Sequence, residues 1–143
     1  MPVLCLDYSS DDTLIVSGSS DKYIRLWGTD FGDCHIALMA HGSPVTQVKF
    51  VKDTHYILSA GRDGMIKYWD GDRRLLVKEI ASTGYDIWSL AVSSLGDMVI
   101  SGGQEKIMRC FKQTKEQVFA HIEEDGRKEK VSVYECRPLW ITT

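Results

Sequence analysis

Short apolar runs recur along most of the chain, and clusters of turn-forming residues separate them. One group of four such runs covers Val45 to Val51, Tyr56 to Ala60, Met65 to Trp69 and Leu75 to Ile80. Gly, Asp and Ser are concentrated between the runs, as in Gly61-Arg62-Asp63-Gly64. Short apolar runs bounded by turn formers predict β-strands joined by hairpins. The pattern therefore predicts an all-β protein.

The third run of each group alternates apolar and polar positions. Arg25 stands between Ile24 and Leu26, and Lys67 stands between Ile66 and Tyr68. Successive side chains of a strand point to opposite faces of its sheet. Each group of four runs is therefore predicted to form a small antiparallel sheet with one drier and one wetter face.

The groups of four runs are copies of one repeat. A step of 42 residues relates Ser17 to Ser59 and Ser101, Asp21 to Asp63 and Glu105, and Trp27 to Trp69 and Phe111. A period near 42 residues with about four strands per copy is typical of propeller blades. The chain is therefore divided into blades over residues 1–42, 43–84 and 85–122, followed by a charged and then apolar tail over 123–143 that we leave unassigned.

Composition and charge narrow the classes of function. The 143 residues are 43% hydrophobic and 26% charged, as in one ordinary globular domain. The net charge is -3 and the basic residues are scattered, which disfavours an autonomous nucleic-acid binder. No apolar run reaches membrane length, so we expect an intracellular protein. The four cysteines, at positions 5, 34, 110 and 136, lack the paired spacing of zinc sites and are interpreted as reduced thiols.

One polar set is complete only in the second copy, which carries His41, Ser59, Asp63 and Trp69. Ser, His and Asp together invite comparison with nucleophilic catalysis, and a hydrolase using Ser59 and His41 is one alternative. Repetition favours a structural hydrogen-bond network, because an active site does not need a copy in every blade. The copy one period earlier contains Ser17, Asp21 and Trp27. We therefore predict no catalytic residue, no cofactor and no metal.

The third copy departs from this polar set. Thr83 replaces the His, Glu105 replaces the Asp and Phe111 replaces the Trp. Loss of hydrogen bonds worth about 0.5–1.5 kcal/mol each predicts that this blade is the least stable of the three. Apolar packing is expected to hold it, with a core of Trp88, Leu90, Val99 and Ile107.

Three short motifs carry a resemblance to a known family. They are Ala40-His41, Ser59-Ala60-Gly61-Arg62-Asp63 and Tyr68-Trp69-Asp70. From residue 3 to about residue 122 the chain resembles the WD-repeat β-propeller family. The resemblance implies three four-stranded antiparallel blades of an incomplete ring. It also implies that the polar set ties the turn between strands two and three to the neighbouring loop.

Longer segments narrow the resemblance within that family. The segments Met1 to Leu4, Trp27 to His35, Ile87 to Val92 and Glu116 to Phe119 are similar to WD-repeat subunits of the small-subunit processome. This likeness implies a nucleolar, non-enzymatic scaffold that acts in ribosome biogenesis and in maturation of small-subunit ribosomal RNA. Its partners would be other protein subunits of a pre-ribosomal ribonucleoprotein, including WD-repeat proteins, with indirect RNA contact. No membrane and no small-molecule substrate is implied.

The candidate partner contacts are the residues just before each network acid, and an aromatic residue beside them. They are Ser20, Arg62, Gln104 and Tyr85. Two other binding functions stay open. One is an interaction scaffold of a different complex, such as a ubiquitin-ligase receptor or a signalling assembly, and the other is direct contact with RNA.

Three blades are too few to close a propeller, which uses about four to eight. We therefore expect the outer flanks of the first and third blades to expose apolar surface of the kind that marks an interface or an aggregation hazard. Three explanations stay open, of which we favour the first: a fragment of a larger propeller, a ring completed by another subunit, and a truncated gene model.

Overall fold

The computed structural model describes the backbone of residues 1–122 and 128–137 and the side chains of residues 1–112. Twelve strands make up the secondary structure of these residues. No helix that could cross a membrane is found in this part of the chain.

The strands form three antiparallel sheets of four, each built from consecutive strands. The first sheet contains β1 (Val3–Tyr8), β2 (Leu14–Ser19), β3 (Tyr23–Gly28) and β4 (Cys34–Met39). The second contains β5 (Val45–Phe50), β6 (Tyr56–Gly61), β7 (Met65–Asp70) and β8 (Leu75–Ser82). The third contains β9 (Ile87–Val92), β10 (Met98–Gly103), β11 (Arg109–Ile122) and β12 (Lys128–Arg137). The predicted all-β fold of three four-stranded antiparallel blades in an open ring is confirmed.

Strand register repeats with the sequence period. The serine of each second strand lies opposite an apolar residue of the first strand, in the pairs Leu6 with Ser17, Val48 with Ser59 and Leu90 with Ser101. Each first strand also carries a bulge near its start. A bulge adds one residue to one strand and redirects the side chains beside it.

Two apolar cores lie between the sheets, one on each face of the second sheet. Ile57 and Trp69 belong to the core shared with the first sheet. Leu58 and Tyr68, their neighbours along the strands, belong to the core shared with the third sheet. Alternate side chains of a strand point to opposite faces, so the second sheet is covered on both sides.

The first and second sheets are also joined by polar contacts. The Phe50 amide donates to the Asp7 carboxylate at 2.8 Å, and the Asp53 amide donates to the Ser10 hydroxyl at 2.9 Å.

The third sheet differs from its expected outline. The sequence division ended this blade at residue 122, but β12 extends the third sheet to Arg137. Strand β11 is 14 residues long, against six in β3 and β7. From Cys110 to Glu124 the chain contains no Gly, Pro, Asn or Asp to turn it, whereas Gly28 and Gly71 stand at the ends of β3 and β7. Residues 123–127 and 138–143 of the expected tail lie outside the described residues.

One core prediction is wrong. Leu90 and Val99 are buried and Ile107 is half-buried, but the Trp88 side chain is 56% exposed. Ser89 and Ile87 pair with the consecutive residues Gly102 and Gly103, which leaves Trp88 as the extra residue of the bulge. The bulge therefore turns Trp88 away from the core that Ile87 and Leu90 enter.

Candidate functional site

The second blade holds the polar set as a continuous chain of hydrogen bonds. The Trp69 indole Nε1 donates to the Ser59 hydroxyl at 2.9 Å. The Ser59 Oγ lies 2.8 Å from the His41 Nε2, and the His41 Nδ1 lies 3.0 Å from the Asp63 Oδ2. Asp63 also accepts hydrogen bonds from the backbone amides of Gly42 at 3.2 Å and Met65 at 3.1 Å. The chain thus links β6, β7, their turn, and the connection between the first two sheets.

Burial sets the protonation state of this chain. The His41 side chain is fully buried, and desolvation lowers its pKa below the ordinary value of 6.5 despite the nearby Asp63 carboxylate. A neutral imidazole with its proton on Nδ1 donates to Asp63 and leaves Nε2 to accept from Ser59. Every donor in the chain then has an acceptor, as a buried polar network requires.

These contacts place Ser, His and Asp in the order of a catalytic triad, but the serine is inaccessible. Ser59 is 0% exposed and His41 is 2% exposed. The Ser59 hydroxyl already interacts with both Trp69 and His41. A nucleophile must reach the reacting carbonyl carbon of its substrate, so this geometry supports a structural role.

The first blade divides the corresponding residues into two pairs. The Trp27 Nε1 donates to the Ser17 hydroxyl at 2.9 Å, as in the second blade. Asp21 instead accepts from the Arg25 guanidinium at 2.7 Å and from the Tyr23 amide at 3.1 Å. The hydrogen bond from Arg25 lowers the pKa of Asp21 to about 2. The structure therefore brings Ser17 and Trp27 together and places Asp21 with Arg25.

The third blade also uses an arginine for its turn acid. The Arg109 Nε and Nη2 donate to the two Glu105 carboxylate oxygens at 2.8 and 2.7 Å, and this pairing lowers the pKa of Glu105. The Thr83 amide donates to the Gly64 carbonyl at 2.9 Å. Sequence reasoning missed both arginines. Their positions could have been noticed from the 42-residue spacing of Arg25, Lys67 and Arg109, which places a basic residue at the same position of every copy.

Three of the four predicted partner contacts occupy equivalent positions on one rim. The backbone amides of Ser20, Arg62 and Gln104 each donate to the carbonyl of the residue just before the first strand of their own sheet, at 3.1, 3.1 and 2.9 Å. Arg62 and Gln104 are exposed, whereas Ser20 is half-buried and its hydroxyl lies 3.4 Å from the Met1 sulfur. Their contact with a partner stays a prediction.

Tyr85 lies on the same rim, beside the turn of the second blade. Its side chain is 49% exposed, and its amide donates to the Thr83 hydroxyl at 3.2 Å. A Cβ at Gly64 would stand 2.8 Å from the Tyr85 carbonyl oxygen, so the two backbones are in close contact. Gly64 has a φ of 77°, which a glycine adopts without strain. The structure thus joins Tyr85 to the turn that carries Arg62.

The opposite rim carries a second polar cluster, centred on Asp70. The Asp70 side chain is fully buried and accepts from the backbone amides of Asp72 at 3.0 Å and Arg73 at 3.1 Å. The Arg73 guanidinium lies 3.2 Å from Asp70, and the His55 Nε2 lies 3.3 Å from it. In the part of the chain that is described, no group of three or more His, Cys, Asp or Glu residues is arranged to hold a metal ion.

The described cysteines have no ligand-like grouping. Cys5 and Cys110 are buried, Cys34 is exposed, and all three are free thiols. Burial raises the pKa of the Cys5 thiol to about 11, which keeps it protonated and unreactive near neutral pH.

Comparison with known proteins agrees with this architecture. A family model described as the WDR3 second beta-propeller domain matches residues 1–118. Periodic tryptophan protein 2 of Arabidopsis thaliana is 34% identical over 101 residues, and its homolog in Caenorhabditis elegans is 32% identical over 100. Cilia- and flagella-associated protein 52 of Chlamydomonas reinhardtii is 36% identical over 78 residues.

These alignments cover 70%, 69% and 54% of the chain but only 11%, 11% and 13% of the three relatives. The family match, by contrast, takes in nearly all of the three repeats, from β1 through the first part of β11. The blades, their turn networks and this match together show that the chain belongs to the family of the WDR3 second beta-propeller domain.

Proposed function

We propose that the chain is a non-enzymatic, protein-binding scaffold of a small-subunit processome, acting in the maturation of small-subunit ribosomal RNA. Membership of the WDR3 propeller family carries this proposal. The segment likeness to processome subunits, from Met1 to Leu4 and from Trp27 to His35, supports it from the sequence. The partners would be other subunits of a pre-ribosomal ribonucleoprotein, and the compartment would be the nucleolus.

The rim that carries Arg62, Tyr85 and Gln104 is the surface we assign to partner binding. Exposed Tyr and Arg side chains are enriched among residues that dominate binding energy. The amides of Arg62 and Gln104 donate to the residues just before the first strands of their blades, and the Tyr85 amide donates to Thr83. A surface fixed before binding loses little conformational entropy when a partner docks.

A scaffold function is favoured over a hydrolase because Ser59 and His41, in the only Ser-His-Asp chain among the described side chains, are buried. It is favoured over direct RNA binding because the net charge of the chain is -3. Phosphate contacts need clustered Lys and Arg residues. We therefore propose that contact with RNA is indirect.

Co-sedimentation with pre-ribosomal particles tests this function. A tagged chain is expressed in cells, lysates are fractionated on a sucrose gradient, and precursors of small-subunit ribosomal RNA are located by hybridisation. The chain is expected to sediment with these precursors, and a variant carrying Arg62→Glu and Tyr85→Ala is expected to shift to the top of the gradient. Lys52→Glu is the control, because this exposed residue lies in the β5–β6 turn on the opposite rim.

Sedimentation of the unmodified chain away from the precursors, or with a ubiquitin-ligase or signalling complex, would contradict the processome proposal. Direct RNA contact predicts that the purified chain binds RNA with an affinity that falls steeply as salt rises. We expect no such salt-dependent binding.

A further inference from the structure

A groove with a volume of about 460 Å³ lies between the first two blades, on the rim opposite the one assigned to partner binding. Leu14 and Phe50 contribute apolar surface to it. Three exposed aspartates, Asp11, Asp53 and Asp72, stand among its polar lining residues. Its volume is within the range of about 300–1,000 Å³ that is typical of ligand pockets. Both walls belong to consecutive blades of this chain, and we call this feature the interblade groove.

Hydrogen bonds fix the acidic walls of the interblade groove in advance. Asp11 accepts from the hydroxyl groups of Ser9 at 2.7 Å and Thr13 at 2.8 Å, and these bonds lower its pKa to about 2. The Asp53 amide donates to the Ser10 hydroxyl at 2.9 Å, which joins the turns of the two blades. A surface that is ordered before binding loses little conformational entropy when a ligand docks.

The interblade groove has an excess of negative charge. Among the described residues no Lys or Arg lines it. His55 is the basic group of this lining, and its Nδ1 and Nε2 lie 3.4 Å from Asp72 and 3.3 Å from the buried Asp70. The exposed cations nearest in sequence, Lys52 and Arg74, line neighbouring depressions instead. Because like charges around one cleft focus its negative potential, the groove should attract a cation.

The repeat does not require this combination of apolar and acidic surface. The 42-residue step replaces Leu14 by Tyr56 at the next pair of blades, and Asp53 by Leu95. Tyr56 packs on Tyr68, with ring centroids 5.1 Å apart. The next pair of blades thus has a larger side chain and an apolar residue at these two positions. The interblade groove is therefore a feature of the first pair that goes beyond what blade packing needs.

We propose that the interblade groove binds an extended, arginine-bearing segment of a partner protein, with an arginine side chain lying across Leu14 and Phe50 and its guanidinium group at Asp53 and Asp72. An arginine has an aliphatic stem that covers apolar surface and a planar head that pairs with carboxylates. The groove offers a surface for each part. This inference does not rest on the proposed function, and it gives the scaffold a second docking surface on the rim opposite Arg62.

Fluorescence anisotropy with the purified full chain tests the class of ligand. The probe is a labelled peptide of sequence Gly-Ser-Arg-Leu-Arg-Ser-Gly, and we expect it to bind in the micromolar range. A peptide with Lys in place of both Arg should bind several-fold more weakly, because its ammonium groups are more strongly hydrated and cannot form a two-pronged contact. A peptide with Glu at both positions should not bind. No binding of the arginine peptide, or equal binding of the glutamate peptide, would overturn the proposal.

Two double variants separate the groove from general attraction to an acidic rim. Asp53→Asn with Asp72→Asn should weaken binding of the arginine peptide roughly tenfold or more. The matched control is Asp12→Asn with Asp30→Asn, which removes the same two charges from exposed positions outside the groove lining. Asp12 and Asp53 share a φ near 60°, which Asn also adopts, and Asp30 is the equivalent of Asp72 one period earlier. The control should change affinity less than twofold, and equal weakening by both variants would overturn the proposal.

Hydrogen exchange read by mass spectrometry locates the bound peptide without any substitution. Exchange should slow in the turns over residues 9–13 and 53–56 when the arginine peptide is added. Protection confined to the rim that carries Arg62 would overturn the proposal.

Spermidine tests the other source of a flexible cation, a free polyamine. It should displace the arginine peptide only at concentrations far above those of unlabelled peptide, because it has no guanidinium group. Displacement by spermidine at equal concentration would overturn the assignment of the groove to a protein segment.

Discussion

The second and third blades hold the same turn between their second and third strands in different ways. In the second blade a buried histidine from the connection between sheets bridges the turn acid Asp63 and the strand residue Ser59. In the third blade the turn acid Glu105 is paired with Arg109, four residues further along the same hairpin. The first arrangement crosslinks separate segments, whereas the second stabilises one hairpin locally. Equivalent substitutions should therefore cost more in the second blade, and four experiments test that difference.

Removal of the bridging imidazole should have the largest effect. His41→Ala leaves buried Ser59 and partly buried Asp63 without their shared partner, and we expect a loss of about 2–4 kcal/mol in the free energy of unfolding. Thr83→Ala, the equivalent change one blade later, should cost about 0.5–1.5 kcal/mol. Urea unfolding followed by circular dichroism measures both values. Equal losses for the two variants would remove the distinction between the blades.

Loss of the indole donor should rank second. Trp69→Phe gives the second blade the aromatic residue that Phe111 provides in the third, and it removes the hydrogen bond to the fully buried Ser59. We expect a loss of about 1–2 kcal/mol. Trp27→Phe removes the same kind of bond at a half-buried position, where water replaces it in part, and should cost about 0.5 kcal/mol. Hydrogen exchange of the β6 and β2 amides, read by mass spectrometry, locates each effect.

Acidification should weaken the second blade before the third. The pKa of His41 is lowered in the fold, so protonation is easier in the unfolded chain, and stability is full above pH 6.5 and decreases as the pH falls below it. The Glu105–Arg109 pair is unaffected in this range because the pKa of Glu105 is lowered. Hydrogen exchange at pH 7 and pH 5.5 should show faster opening of β6 and β7 at the lower pH. The same shift in a His41→Gln variant would contradict the assignment to His41.

The local ion pair should give the smallest effect. Arg109→Gln removes a pair whose side chains are 28% and 20% exposed, and we expect a loss of about 0.5–1 kcal/mol that shrinks as salt is added. Arg25→Gln, which breaks the corresponding pair with Asp21, serves as the matched comparison. A loss after Arg109→Gln as large as that after His41→Ala would mean that the third blade depends on its arginine as much as the second depends on its histidine.

Much of the fold could be predicted because the residues that define the 42-residue repeat face the core. Ser59 and Trp69 stand at the same step as Ser17 and Trp27, and strand register follows this step in all three blades. The exposure of Trp88 could not be predicted, because a bulge changes which face a side chain takes without changing the apolar pattern. The length of β11 was not predicted, because the repeat implied a short third strand as in the first two copies. The sequence signal for a longer strand was the absence of turn formers after Phe111.

The contacts among residues that recur with the repeat could be predicted. The contacts of the turn acids Asp21 and Glu105 were not predicted, because an arginine replaces the histidine as their partner. His41, Ser59, Asp63 and Trp69 form one chain of contacts because each stands at its usual position. Arg25 and Arg109 were missed because a cation on a half-exposed strand normally faces solvent, and only the hairpin geometry brings it back to the acid. The identity of the partners does not follow from these residues, because specificity on the rim depends equally on the complementary side chains of the partner.

The close contact at Gly64 has a consequence for the distance between neighbouring blades. The turn of the second blade touches the backbone of Gly84 and Tyr85, so any side chain at Gly64 would have to push this connection to the third blade away. Lys22, its equivalent in the first blade, has a similar φ of 78° but carries a full side chain. The same backbone conformation therefore accommodates a side chain in the first blade and leaves no space for one in the second. Exchange of a glycine for a larger residue at this one turn position would thus increase the distance between a blade and the connection that leads to the next blade.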